Sequence, residues 1–243
     1  MSVARFHVPG AAPGARLAFP DHVAHHAREV LRLRAGDRVH VFDGCGHEFE
    51  AVLEAVTRRE VVAHLEKAVV PRPEPDLRLV LAVSPLKGDR MELVIQKATE
   101  LGVAEIWPVV TARTDAAARP ALQGSRQERW ERVASGAAEQ CGRAIVPAVA
   151  PSQTLGGLLG LGLPERRIVF LETAGHPPLA ATEPRPAEVL ALVGPVGGFE
   201  PHEVERLMAA GFQTRSLGPR VLRSETAAVA AVALLQFLWG DLG

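Results

Sequence analysis

Two glycine-punctuated blocks toward the C-terminal end carry the residue types best suited to holding a small ligand. The first is Gly194-Pro195-Val196-Gly197-Gly198-Phe199; the second runs Leu217-Gly218-Pro219-Arg220-Val221-Leu222-Arg223-Ser224-Glu225-Thr226-Ala227. Each follows a short apolar run that reads as a strand, Val189 to Val193 and Phe212 to Leu217, and each leads into a helical pattern. Glycine at the C-terminal end of a strand lets the main chain approach a ligand where a side chain would collide. Two such turns in succession point to a ligand held by main-chain atoms, and so to an enzyme or a nucleotide-like binder ahead of a scaffold. Familiar alternatives fail on spacing. There is no Gly-x-x-x-x-Gly-Lys-Ser/Thr loop, and the first block is not Gly-x-Gly-x-x-Gly. Ser224 lacks the flanking glycines of a nucleophile elbow and reads as the cap of the last helix. Cys45 and His47 find no second pair at zinc-like spacing, so no metal is expected.

The elements that must position these blocks alternate in type. Up to about residue 70 the chain is β-rich: 38–42 and 50–56 alternate polar and apolar residues, and the cluster Asp43-Gly44-Cys45-Gly46-His47 between them implies a hairpin. One helix is expected over 20–31, stopped by Arg34-Ala35-Gly36-Asp37, and a small barrel fits this order. Pro71-Arg72-Pro73-Glu74-Pro75 is a stiff break. Beyond it, strands over 77–83, 103–110, 168–171 and 189–193 alternate with helices over 89–101, 127–141, 201–210 and 224–239. The series reads as a right-handed parallel α/β sheet, whose ligands bind beyond the strands' C-terminal ends. No internal repeat is visible.

Composition narrows the class further. The chain has 243 residues, 47% of them hydrophobic, enough for a real core. No apolar run is long enough for a membrane span, and the first residues lack a signal peptide's apolar segment, so the cytoplasm is expected. Two cysteines, Cys45 and Cys141, are too few for a disulfide framework. Of 27 basic residues, only Lys67, Lys87 and Lys97 are lysine. Codon bias accounts for part of that excess; planar phosphate recognition by arginine is the alternative. A net charge of −1 excludes neither, because nucleic-acid binding needs only a local basic patch.

Three further stretches stand in order with the two blocks: Gln96-Lys97-Ala98-Thr99-Glu100-Leu101-Gly102-Val103, Glu128-Arg129-Trp130, and Ala138-Glu139-Gln140-Cys141-Gly142-Arg143. Together they resemble the RsmE family of 16S ribosomal RNA methyltransferases, which methylate N3 of a uridine using S-adenosylmethionine. Arg5-Phe6, His26, Val30-Leu31-Arg32, Gly36-Asp37 and Phe42-Asp43-Gly44 match that family's small domain, so the likeness covers essentially the whole chain. The resemblance implies a PUA-like β-barrel RNA-binding domain over 1–72, then over 73–243 an α/β methyltransferase domain of the SPOUT class. In that class the C-terminal segment of the parallel sheet is threaded into a trefoil knot, a feature that rests on the family match alone. It also implies S-adenosylmethionine bent inside the knot. Gly194, Gly197 and Gly198 would line one side of it, Leu217, Gly218, Leu222 and Thr226 another, and Leu171 with Glu172 would approach from a third strand end. Partners implied are 16S ribosomal RNA or the small ribosomal subunit and a second copy of the chain, with no membrane.

Methylation at N3 requires a methyl aligned for displacement, loss of the N3 proton, and an unpaired base. Arg223 is placed at the flipped uridine or a phosphate, with a helix-terminal salt bridge as its plainer reading. Glu225 could act as base, or simply complement the first turn of its helix. Arg5, Arg32, Arg34, Lys87, Arg90, Arg113 and Arg143 are expected at RNA, roughly half of them belonging instead to ordinary surface pairs. Lys97 and Glu100 are spaced to pair, and Trp130 follows core or dimer spacing. Two departures stand out: Val196 where the family usually has glutamate, and Ala144 where a polar residue is common. They leave an alternative, an RNA-binding ribosome assembly factor that keeps the fold without the catalysis.

Overall fold

The computed structural model describes residues 3–118, 126–173, 175–179 and 184–243. The chain divides into two compact units, Met1–Glu74 with Ser135–Val146, and Pro75–Ala134 with Pro147–Gly243.

The first unit is built on five strands: β1 (Arg5–His7), β2 (Arg16–Ala18), β3 (Arg38–Phe42), β4 (Glu48–Val56) and β5 (Val61–Val69). Their order is β1-β3-β4-β5-β2, with β1 parallel to β3 and the remaining pairs antiparallel. Strict alternation turns Val39 and Val41, Phe49, Ala51 and Leu53, and Val61, Ala63 and Leu65 into one buried core with Phe6 and Phe19. Irregularities between Phe49/Ala51 and Leu53/Ala55 bend the β4–β5 pair, and the sheet curls into a half-barrel with β1 and β2 as its edges. The expected hairpin is present, its turn gathered by Asp43 Oδ1, which accepts from the backbone N–H of Cys45 (2.7 Å) and His47 (3.0 Å). The expected helix is shorter and changes character: α1 (Asp21–His25) widens into a π-helical turn, His26–Val30. Val23, Ala24 and Ala27 stay on the buried stripe, while the widened turn carries Val30 and Leu31 off it into solvent.

The second unit holds β6 (Arg78–Val83), α2 (Arg90–Glu100), β7 (Glu105–Val110) and α3 (Gln127–Cys141), whose residues from Ser135 onward belong to the first unit. There follow β8 (Ala148–Val149), β9 (Gln153–Thr154), α4 (Leu155–Leu159), β10 (Arg166–Phe170), β11 (Glu188–Val193), α5 (Pro201–Ala209), β12 (Gln213–Arg215) and α6 (Ser224–Trp239). The parallel sheet runs β12-β10-β11-β6-β7-β8, with β9 beside β7. Leu79–Val83 and Val189–Val193 are buried without interruption, as strands covered on both faces must be. The strand expected over 212–217 is only Gln213–Arg215, and β8, β9 and α4 were not legible. Two glycines weaken α4 as a helix; Thr154 Oγ1, accepting from Gly157 N at 3.1 Å, and burial of Leu155 and Leu158 hold it. Among the described residues no helix is long and apolar enough to cross a membrane.

Candidate functional site

Strands β10 and β11 end side by side, and a cavity of about 400 Å³ opens beyond them. Phe170, Leu171, Val193, Pro195, Phe199 and Val204 form its apolar floor. The first glycine block shapes one wall. Gly198 N donates to Pro195 O at 2.9 Å, closing a turn in which Gly198 takes φ +69°. A Cβ at that position would stand 2.9 Å from Glu172 Oε1, and one at Gly194 would strike the Phe199 ring at 2.6 Å. At Gly198 the Glu172 carboxylate could swing aside, so the left-handed φ is what excludes a side chain, whereas at Gly194 the Phe199 ring would have to move.

The second block shapes the opposite wall. β12 lies parallel to β10; Leu171 N donates to Arg215 O at 2.9 Å and Ser216 N to Pro177 O at 3.0 Å. The chain then passes Leu217, Gly218, Arg220 and Leu222 along the cavity before entering α6, where Ser224 and Ala227 continue the wall. Polar groups are few: Glu172, Thr173 and His176 after β10, Ser224, and the guanidinium groups of Arg113 and Arg220. His176 Nε2 and Thr173 Oγ1 lie 3.0 Å apart in one hydrogen bond. A concave, mostly apolar cavity with exposed main chain and a handful of polar side chains is the usual form of a small-molecule site.

Of the residues the sequence assigned to a cofactor, Leu171, Glu172, Gly194, Gly198, Leu217, Gly218 and Leu222 all line this cavity. Gly197 lies behind the wall, its carbonyl accepting from Arg113 Nη1 at 3.1 Å. Thr226 is exposed on α6 and does not line it. Arg223 precedes the first turn of α6, exposed and outside the lining, whereas Arg220 lies within it. Ser224 is not the cap: it is the first helical residue, buried, and faces the cavity. Each residue turns about 100° round a helix, so with Ser224 and Ala227 toward the cavity Glu225 faces away. Its carboxylate, 12% exposed, sits 3.8 Å from Arg90 Nε. Arg90, expected at RNA, is thereby paired as well.

Two more arginines expected at RNA are committed inside the first unit. Arg5 grips Glu48 through Nε (3.0 Å) and Nη2 (2.8 Å), and also donates to the carbonyls of Ala138 (3.1 Å), Glu139 (3.1 Å) and Arg143 (3.2 Å). The first two belong to the last turn of α3, where the Ala138 carbonyl also accepts from Gly142 N at 3.1 Å. Burial raises the Glu48 carboxyl pKa, but hydrogen bonds from Arg5 and His40 outweigh it and hold the group below the usual carboxylate range. Next to it, burial raises Glu139 despite the bond it accepts from His7 N at 2.8 Å, and burial lowers His7 despite the pull of Asp43. Arg143, 10% exposed, is paired with Glu74 at 2.6 Å. Arg32 and Arg34 remain on the surface, and Lys87 is 3.5 Å from Asp115. Trp130 is core, and Lys97 bonds Glu100 at 2.8 Å, both as spacing suggested. The sequence reading missed Arg220, Thr173, His176 and the inward face of Ser224; Arg220 stood inside the second block and was legible there.

Comparison with known proteins fits this geometry. The family model for the RNA methyltransferase domain matches residues 73–236, and that for the RNA methyltransferase PUA domain matches 19–66. The chain belongs to this RNA methyltransferase family. More narrowly, it is 33% identical over 219 residues to the ribosomal RNA small subunit methyltransferase E of Synechocystis, covering 88% of this chain and 70% of the relative. It is 32% identical to the enzyme of the same name from Mycobacterium tuberculosis, covering 88% and 83%. The methyltransferase E of Neisseria gonorrhoeae, crystallised with S-adenosylmethionine, superposes with a TM-score of 0.90 at 32% identity over 100% of both chains. A putative methyltransferase from Legionella pneumophila, also with bound S-adenosylmethionine, gives 0.91 at 33% over 100% of both. The resemblance drawn from the ordered blocks is borne out.

Proposed function

We propose that this chain transfers a methyl group from S-adenosylmethionine to N3 of a uridine in the 16S ribosomal RNA of the small subunit. The observation that carries the reading is the cavity walled by both glycine blocks, in a chain whose near relatives bind that cofactor. The residues present fit the group: main chain at Gly194, Gly198 and Leu217–Gly218 can meet an adenine edge, the apolar floor its ring, and Glu172 a hydroxyl or a positive centre. The bound cofactor supplies an electrophilic methyl on a sulfonium. An N–C bond forms as the C–S bond breaks, and the N3 proton must pass to a base or to water.

The chain's own part is alignment and charge. Holding both reactants in line can supply about 7–11 kcal/mol of barrier reduction. Arg220, on the cavity wall, takes the uridine-contact role expected of Arg223, which faces solvent beside it. Glu225 complements the start of α6, so the proton acceptor is sought between Glu172 and His176, both on the wall. Neither the cavity nor the relatives favour the catalytically silent alternative.

Residues 1–72 serve as the RNA-binding domain, with Arg32 and Arg34 among the surface groups that meet phosphate, and 73–243 as the methyltransferase domain. The segment beyond β12 is threaded as a trefoil knot, a reading supported by family membership and by its passage along the cavity wall. A homodimer is supported by Leu234 and Phe237 of α6, 41% and 60% exposed on an otherwise apolar helix. The cytoplasm, where ribosomes are made, is the expected compartment. Tritium transfer from labelled S-adenosylmethionine to 16S RNA tests the central claim, with label expected at one uridine. Cofactor binding without any transfer to RNA or small subunits would defeat it.

A further inference from the structure

Three backbone segments meet beside the cavity, joined by two side chains that take no part in the transfer just described. They are the loop after β7, the glycine turn after β11, and the start of α5. Glu203, 3% exposed, accepts from Ala112 N through Oε1 at 2.9 Å and from Glu200 N through Oε2 at 3.0 Å. A buried carboxylate needs such donors, and here both are main-chain groups, one on the loop and one at the helix start. The loop's own bend is fixed by Thr111 N donating to Thr114 Oγ1 at 2.9 Å, both residues buried.

Glu203 thus fixes the backbone immediately before Arg113. From there Arg113 reaches the turn: Nη1 donates to Gly197 O at 3.1 Å, and its Cβ lies 3.3 Å from where a Gly197 Cβ would stand. Its Nε is 3.9 Å from Glu200 Oε1, at the start of α5. The turn closes on itself through Gly198 N and Pro195 O at 2.9 Å, Val196 at its tip is 64% exposed, and Arg113 ties its Gly197 carbonyl to the loop after β7. A fork of donors on one rigid plane can hold a carbonyl, approach a carboxylate and still border the cavity, which a lysine ammonium cannot do in one geometry.

We propose that Arg113 is a positioning residue for the cofactor: by gripping the Gly197 carbonyl it sets the shape of the glycine turn that walls the site. The inference rests on the cavity being the S-adenosylmethionine site, and it gives Arg113 a role other than the RNA contact its charge first suggests. A wall made of main chain recognises a ligand only while its carbonyls and N–H groups stay aimed.

Calorimetric titration of the full chain with S-adenosylmethionine tests this, using Arg113→Met, which keeps the stem against Gly197, beside Arg113→Ala and Arg113→Lys. The Met variant should weaken cofactor binding on the order of tenfold with an unchanged thermal midpoint, and Lys should recover part of the loss. In methyl transfer, KM for the cofactor should rise more than kcat falls. Unchanged cofactor affinity overturns the proposal, including the case where affinity for a 16S RNA fragment falls instead, which would make Arg113 a phosphate contact. A lowered midpoint in both Met and Ala variants that accounts for the affinity loss also overturns it, in favour of a fold role. Wild-type chain that binds no cofactor would overturn the reading of the cavity, and this inference with it.

Discussion

The cluster around Arg5 in the first unit and the cavity of the second draw on the same residue types, yet treat them in opposite ways. In the first, Arg5 lies over the Phe42 ring at 4.7 Å while its donors meet Glu48 and three carbonyls, and His40 Nδ1 lies 2.7 Å from Glu48 Oε1. Glu48 is 6% exposed, a burial tolerable for a charge only because it is paired and hydrogen-bonded. In the second, Arg220 has no hydrogen bond or ion pair among the described residues, and Glu172 faces the opening. Where charged groups satisfy one another they hold the fold; where partners are missing, a ligand can supply them. Charge and residue type alone do not distinguish the two cases.

The largest effect that would test this contrast comes from Arg5→Ala. Removing one partner of a buried pair leaves Glu48 with His40 alone and takes a donor from the carbonyls of Ala138, Glu139 and Arg143, and should cost about 3–5 kcal/mol. A chemical denaturation curve would show it, while cofactor affinity in the surviving folded protein should hold, since residues of the second unit alone line the cavity. A fall in affinity at full foldedness would break the division of labour. Gly198→Val should do the reverse. Its φ of +69° and the nearby Glu172 carboxylate make any branched side chain misfit, so S-adenosylmethionine affinity should drop about a hundredfold while the first unit's melting is unchanged.

Acidity sharpens the comparison on the first unit alone. Glu48 is held below its usual range, so its contribution is present above the unfolded glutamate pKa of about 4.3 and is lost as pH falls through the depressed value. Glu139 is raised, so its contribution is full below that same unfolded value and is lost as pH rises through its folded one. Glu139 alone makes urea midpoints rise from neutral toward mild acid; His7, lowered by burial, opposes that rise as pH falls below about 6.5, and Glu48 makes the midpoints fall at lower pH. Glu48→Gln should shrink the acid limb, to which Asp43 also contributes, and Glu139→Gln should remove the rise on the neutral side. Retention of both limbs in both variants would sever the pH response from this cluster.

The sequence could announce the turn and the strand ends because both are local: glycines after an apolar run, an apolar run after a proline-rich break. The bounds of α3 and α6 were legible for the same reason: α3 is long and amphipathic, and α6 is a long apolar run between Ser224 and Gly240. What stayed hidden depends on partners distant in the chain. The Arg5 bond to Arg143 O spans 138 positions, and no pattern near Arg5 distinguishes an inward guanidinium from one aimed at RNA. Ser224 was misjudged by one residue, since the cap position falls on Arg223 and Ser224 turns to the cavity, while the choice between the two readings of Glu225 needed its neighbour Arg90 on α2. Short elements such as β8 and β9 exist only as additions to β7 and have no periodicity of their own.

The smallest effect marks the lower end of the same scale. Lys97 Nζ bonds both carboxylate oxygens of Glu100, at 2.8 and 2.9 Å, one helical turn away on α2, and the pair was legible from spacing alone. Its lysine is 39% exposed, so water competes for both charges and the side chains give up rotamer freedom to meet. Lys97→Ala should therefore cost no more than about 0.5 kcal/mol, measured by denaturation, and leave methyl transfer untouched. The distances match those of Arg5 with Glu48, but one Nζ is shared between both oxygens, Lys97 is more exposed, and Arg5 holds three carbonyls besides. A loss approaching that of Arg5→Ala would mean that hydrogen-bond geometry, rather than removal from water, decides which charges hold this protein together.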